Sequence, residues 1–139
     1  MSTEQNKELV KRYNHEVIQG GNMEVLRQLA APDFINHSAP EAMDAGIEGM
    51  AYFFSSILHA AFSKLIVTVH DMVAEDNRVV TRKTITGVHT GSLMGIEPTG
   101  KPINITVIDI ITVDNGRLLS HWGENNFAAV VQSLAVQQA

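Results

Sequence analysis

The chain has no cysteine among its 139 residues. Disulfides, thiolate nucleophiles and thiolate metal ligands are thereby excluded. Positive charge is also in short supply: ten Lys and Arg stand against fifteen Asp and Glu, a formal net charge of −5, with no basic cluster. Phosphate backbones need cations gathered on one face, so no nucleic-acid partner is expected. No apolar run is long enough to span a bilayer and the amino terminus is polar, which predicts a cytoplasmic protein with no membrane partner. The histidines at positions 15, 37, 59, 70, 89 and 121 show no short ligand spacing, so no metal is predicted. Nor is there a Gly-x-Ser-x-Gly elbow, and Pro98-Thr99-Gly100-Lys101 lacks phosphate-loop spacing and reads as a turn.

What is present is an ordinary globular composition, 45% hydrophobic and 18% charged, long enough for one domain over 1–139. Ser2 or Thr3 can cap a first helix, with Gln5 completing a capping box. Leu9, Val10, Tyr13, Val17 and Ile18 repeat at helical spacing until Gly20-Gly21. Asn22 caps a second helix that Pro32 ends, Asp33–His37 reads as extended, and a third helix runs from about Gly49 to Ala61. Strands then follow over Leu65–Glu75, Arg78–Thr90 and the hairpin after Pro102, and Phe127–Val136 reads as a short closing helix. This order predicts an α+β fold with helices packed on one face of a curved antiparallel sheet.

The hairpin carries the most chemistry. Ile103, Ile105, Val107, Ile111 and Val113 share one face by alternation, and Asp109 interrupts that apolar row. Asn115-Gly116 signals a two-residue type I′ turn. Unbroken pairing from it sets Ile111 opposite Ser120, Asp109 opposite Trp122 and Val107 opposite Glu124. Asp109, Trp122, Glu124 and Asn126 then converge over an Ile/Val floor that includes Ile105 and Val107. A carboxyl in such a pocket is expected to have a raised pKa, suited to general acid–base work, although Asp109 could instead be a tied structural group. A second pairing, around Asp76-Asn77, sets Asp71 opposite Arg82 on a face shared with Leu65, Val67, Val69 and Val80. That is most simply an ion pair, or else an Arg that binds a substrate carboxylate or phenolate. His89, near a strand end, reads as a group bonding the adjacent loop or as a substrate contact.

These segments together resemble the SnoaL-like polyketide cyclase family, within the superfamily of cone-shaped ketosteroid-isomerase-like folds. The resemblance rests on Ala31-Pro-Asp-Phe-Ile-Asn-His37, Gly46-Ile-Glu-Gly49, Ala74-Glu-Asp-Asn-Arg78, Gly87-Val-His-Thr-Gly91, Gly95–Lys101, and Asn115-Gly-Arg117 leading to His121-Trp122. It implies a cone-shaped sheet backed by three helices around an apolar pocket, usually a homodimer. The implied chemistry is cofactor-independent aldol ring closure on a small apolar carbonyl compound, or a related isomerase or lyase reaction. A non-catalytic hydrophobic-ligand module is the alternative of another class. The family commonly carries Asp four residues after the tryptophan, where this chain has Asn126, so Asp109 and Glu124 become the acid/base candidates. His37 is a further proton donor by the same resemblance, with Asn36 and Asn126 orienting substrate and Trp122 stacking on it.

Overall fold

The computed structural model describes residues 2–136. The first helix opens on the expected capping box: the Gln5 N–H donates to Ser2 Oγ at 3.1 Å and the Ser2 N–H donates to Gln5 Oε1 at 2.9 Å. It is α-helical over Thr3–Arg12 and widens to π over Tyr13–Gln19. Gly21 stops it with φ near +70°, a conformation that glycine adopts without a Cβ penalty. Asn22 caps the second helix, Met23–Leu29, by accepting from the Val25 N–H. The third runs Ile47–Tyr52, widens to π over Phe53–Leu58, and closes with His59–Ala61.

Among the described residues five strands form one sheet in the order β1-β5-β4-β3-β2. They are β1 Ala30–Asn36, β2 Phe62–Glu75, β3 Arg78–His89, β4 Pro102–Asp114 and β5 Arg117–Asn125. β1 pairs parallel with β5 and the other neighbours pair antiparallel. The extended segment is longer than Asp33–His37, and Pro32 lies inside β1; this is tolerated because β1 is an edge strand. The closing helix spans Phe127–Val136. Helices cover one face of the sheet, where Val10, Tyr13, Val17, Leu26 and Leu58 are buried in one core with Ile85, Ile105, Ile111 and Leu118. Among the described residues no helix is long and apolar enough to cross a membrane.

Of the register shifts in the sheet, two set the facing of the residues singled out in the sequence. In β2, pairing runs Glu75↔Arg78 back to Asp71↔Arg82 as expected, then slips at His70 to Val69↔Lys83 and Val67↔Ile85. In the hairpin, Asp114↔Arg117 and Val113↔Leu118 follow the turn, then Leu119 is the extra residue and Thr112 pairs with Ser120. A slip of one residue sends every later side chain to the opposite face. The expected register is corrected accordingly: Ile111 faces His121, Asp109 faces Gly123 and Val107 faces Asn125.

Candidate active site

An apolar cavity of about 320 Å³ lies between the helices and the inner face of the sheet. Both π segments line it, the first through Tyr13 and Ile18, the second through Phe53, Phe54 and Leu58. Such widened turns recur at functional sites. The sheet contributes Ile85, Ile105 and Val107, the loop after β1 contributes Ala39, Pro40 and Met43, and Phe127 closes from the last helix. Ser38 clamps that loop to β5: the Gly123 N–H donates to Ser38 Oγ at 2.7 Å, and Ser38 Oγ donates to the Gly123 carbonyl at 3.2 Å.

The polar groups on this apolar wall are connected. Lys83 on β3 and Asp109 on β4 are both 2% exposed, which is affordable for charges only when they are paired. Lys83 Nζ donates to Asp109 Oδ2 at 2.9 Å and to Asn14 Oδ1 at 2.6 Å. Asn14 sits in the first π segment and ties its own Nδ2–H back to the Val10 carbonyl. On β5, His121 Nε2 lies 3.3 Å from the same Asp109 Oδ2. Asn36 Oδ1 accepts from the Ser38 N–H, which fixes its amide, so His121 Nδ1 donates to it at 2.9 Å. Room for the imidazole comes from Gly123, where a Cβ would stand 2.9 Å from His121 Cε1. Asp109 Oδ1 is buried and has no hydrogen-bond partner among the described residues.

The electrostatics correct a second expectation. Burial pushes the Asp109 carboxyl up, but the Lys83 ammonium and His121 against it outweigh burial and hold it below the ordinary Asp value. Asp109 is therefore an ionised acceptor at neutral pH. Burial, reinforced by the Asp109 carboxylate, pushes the Tyr13 phenol well above its ordinary value. Its ring faces Lys83 Nζ at 5.5 Å from the centroid, and its hydroxyl donates to Met50 Sδ.

Of the residues singled out in the sequence, Asp109, Asn36, Ile105 and Val107 line the cavity. The others stand elsewhere. The Leu119 bulge turns Trp122 and Glu124 to the outer face of the sheet, in a shallow groove with Arg78, Ile108 and Ile110. Exposed His37 stacks on Trp122 there, ring centroids 4.2 Å apart and planes 8° from parallel. Arg82 is on the outer face as well, donating to Asp71 at 2.6 Å, while Val67 and Val69 fall opposite inward-facing Ile85 and Lys83. Asn126 accepts from the Thr106 N–H at 2.8 Å, extending the β4–β5 ladder by a side chain, and Asn125 lines the cavity in its place. His89 is fully buried, accepting from the Thr99 N–H and holding the β3–β4 loop. Lys83, Asn14, Tyr13 and His121 were not anticipated. Lys83 had a readable signal, since Val79-x-Thr81-x-Lys83-x-Ile85 is the same interrupted apolar row that revealed Asp109. Among the described residues no three His, Asp or Glu side chains converge as metal ligands.

A curved sheet with helices closing one face over an apolar cavity, and a buried Lys83–Asp109–His121 cluster in its wall, defines a helix-backed α+β fold with an internal cavity. The chain belongs to the SnoaL-like polyketide cyclase family, whose model matches residues 8–134. It is similar to IdmH, a polyketide cyclase candidate from Streptomyces antibioticus (29% identity, 94% of this chain and 99% of that one, TM-score 0.78). It is similar also to a SnoaL-like cyclase candidate from Jannaschia (27%, 95% and 92%, TM-score 0.79). An epoxide hydrolase of the LEH-like type from Mycobacterium tuberculosis shares the fold at 14% identity (96% and 91% covered, TM-score 0.70). A search among curated proteins gives no significant match.

Proposed function

We propose that this protein is a cofactor-independent polyketide-cyclase-like enzyme that performs acid–base, aldol-type chemistry on a small apolar carbonyl compound. One observation carries the reading: in a largely apolar cavity wall, Asp109 Oδ2 is occupied by Lys83 and His121 while the buried Oδ1 has no partner among the described residues. Oδ1 is the acceptor for a proton next to the substrate carbonyl. Lys83, with one N–H beyond those on Asn14 and Asp109, then stabilises the enolate oxygen by charge and hydrogen bonding, while His121 holds Oδ2. An Asp can act as base without a strongly raised pKa, because the enclosed site supplies orientation and preorganised donors. Asn36 orients His121 through Nδ1, and the aromatic wall of Tyr13, Phe53, Phe54 and Phe127 binds the apolar body. No acid–base part is assigned to Glu124, His37, Trp122, Arg82, His89 or Asn126.

We also propose that a second copy of the chain covers the outer sheet face. Ile66, Val73, Ile108 and Trp122 are each more than half exposed there, an apolar patch of the kind that marks an interface. The family resemblance points to a homodimer, and the cysteine-free composition is in keeping with a cytoplasmic protein.

The test is a thermal-shift and turnover panel of planar polyketide-like ketones on wild type and Asp109→Asn. The proposal predicts shifts in both proteins and substrate consumption by wild type alone. Shifts with no turnover by wild type would favour a ligand-binding module.

A further inference from the structure

Lys83 has more reach than the acid–base reading uses. An ammonium carries three N–H donors, and the structure accounts for two of them, on Asn14 Oδ1 and Asp109 Oδ2. Lys83 is one of the residues lining the cavity in which a carbonyl compound would lie. A desolvated lysine in an apolar pocket beside a proton acceptor is the arrangement in which an amine serves as nucleophile toward a carbonyl carbon. Asp109 is that acceptor at 2.9 Å, and moving the proton along this bond places no new net charge in the apolar wall. Resting on the carbonyl-substrate reading above, we infer that Lys83 is a covalent catalytic residue that forms an iminium with the substrate carbonyl.

The steps balance. Asp109 takes one proton from the ammonium, and the free amine adds to the carbonyl carbon to give a carbinolamine. The proton returns from Asp109 to the carbinolamine hydroxyl, which departs as water and leaves Lys83 Nζ doubly bonded to carbon with one positive charge. The ionised Asp109 then removes the adjacent proton, the enamine carbon attacks a second carbonyl of the same molecule, Asp109 returns its proton to the alkoxide so formed, and water hydrolyses the iminium to release product and restore the ammonium. Asn14 is a positioning residue here, anchoring Nζ from the π segment of the first helix. Tyr13, neutral and packed over the ammonium, presents no competing charge.

The test uses wild-type protein, one equivalent of 2-naphthaldehyde and sodium cyanoborohydride, followed by intact-mass and peptide mapping. The aldehyde has no α-hydrogen, so reaction stops at the iminium and reduction makes it permanent. There are five lysines: Lys11, Lys64 and Lys101 are exposed, Lys7 is half-buried, and Lys83 is buried. The inference predicts one reduced adduct on Lys83, about tenfold over any other lysine, and its suppression by excess naphthalene as an unreactive occupant of the cavity. Adducts confined to the other four lysines, or none, would overturn it. Turnover of a ketone that persists in Lys83→Arg would also overturn it while leaving the non-covalent role of Asp109 standing. Turnover unaffected by Asp109→Asn would instead remove the acid–base reading.

Discussion

Lys83 and Asp109 form a buried charge pair in the cavity wall. Removing one partner leaves the other uncompensated, so Lys83→Met is expected to cost about 3–5 kcal/mol in urea unfolding. Replacing both, as Lys83→Met with Asp109→Leu, recovers much of that loss because no buried charge remains. The acid limb of stability follows from Asp109. Its native carboxyl titrates below its unfolded value, so its contribution is intact above the ordinary Asp range and is lost as pH falls through the lower native value. Wild type should lose stability more steeply than Asp109→Asn below about pH 4, read from unfolding midpoints along a pH series. Asp109 was legible in the sequence because an Asp in an Ile/Val alternation has no solvent-facing alternative. Lys83 was less so, since it follows Arg82: adjacent cations point to opposite faces, and only the apolar residues two positions away say which is inside.

At the scale of elements the bulges set the site. The helices and the turn at Asn115-Gly116 follow from caps, periodicity and turn chemistry that act locally. A bulge is different, because one extra residue is tolerated by packing across the sheet and leaves alternation locally intact. That is why Trp122 reads as inward on unbroken pairing and His121 is inward in fact. The π segments are equally silent, as one widened turn barely changes helical spacing. The lone tryptophan reports the register directly: 53% exposed in the single chain, it should be quenched readily by acrylamide once Ile108→Lys keeps the protein monomeric, whereas straight pairing would bury it against Asp109. Gly123→Ala tests the fit behind His121. Its Cβ displaces the end of a side chain, not backbone, so we expect the melting temperature to change little and turnover to fall about tenfold, through a misplaced imidazole.

At the scale of the molecule the sheet has two unlike faces, one closed by helices over the cavity and one with large apolar side chains in the open. Ile108→Lys should convert a dimer to a monomer in light scattering while leaving the cavity on the opposite face unaltered. The α+β class and the helix-backed curved sheet were legible throughout, because amphipathic periodicity records which face of each element meets the core. Cavity volume was not, since it depends on how far the widened helices stand off the sheet. In the proposed reaction Asp109 removes a proton beside a carbonyl held in that cavity. Deuterium exchange at the α-positions of 2-tetralone in D2O, followed by proton NMR, tests it without the natural substrate. Wild type should accelerate exchange over buffer and Asp109→Asn should lose about 10²–10⁴-fold of that acceleration. Equal exchange by the two proteins, or none above buffer with the ketone bound, would contradict it.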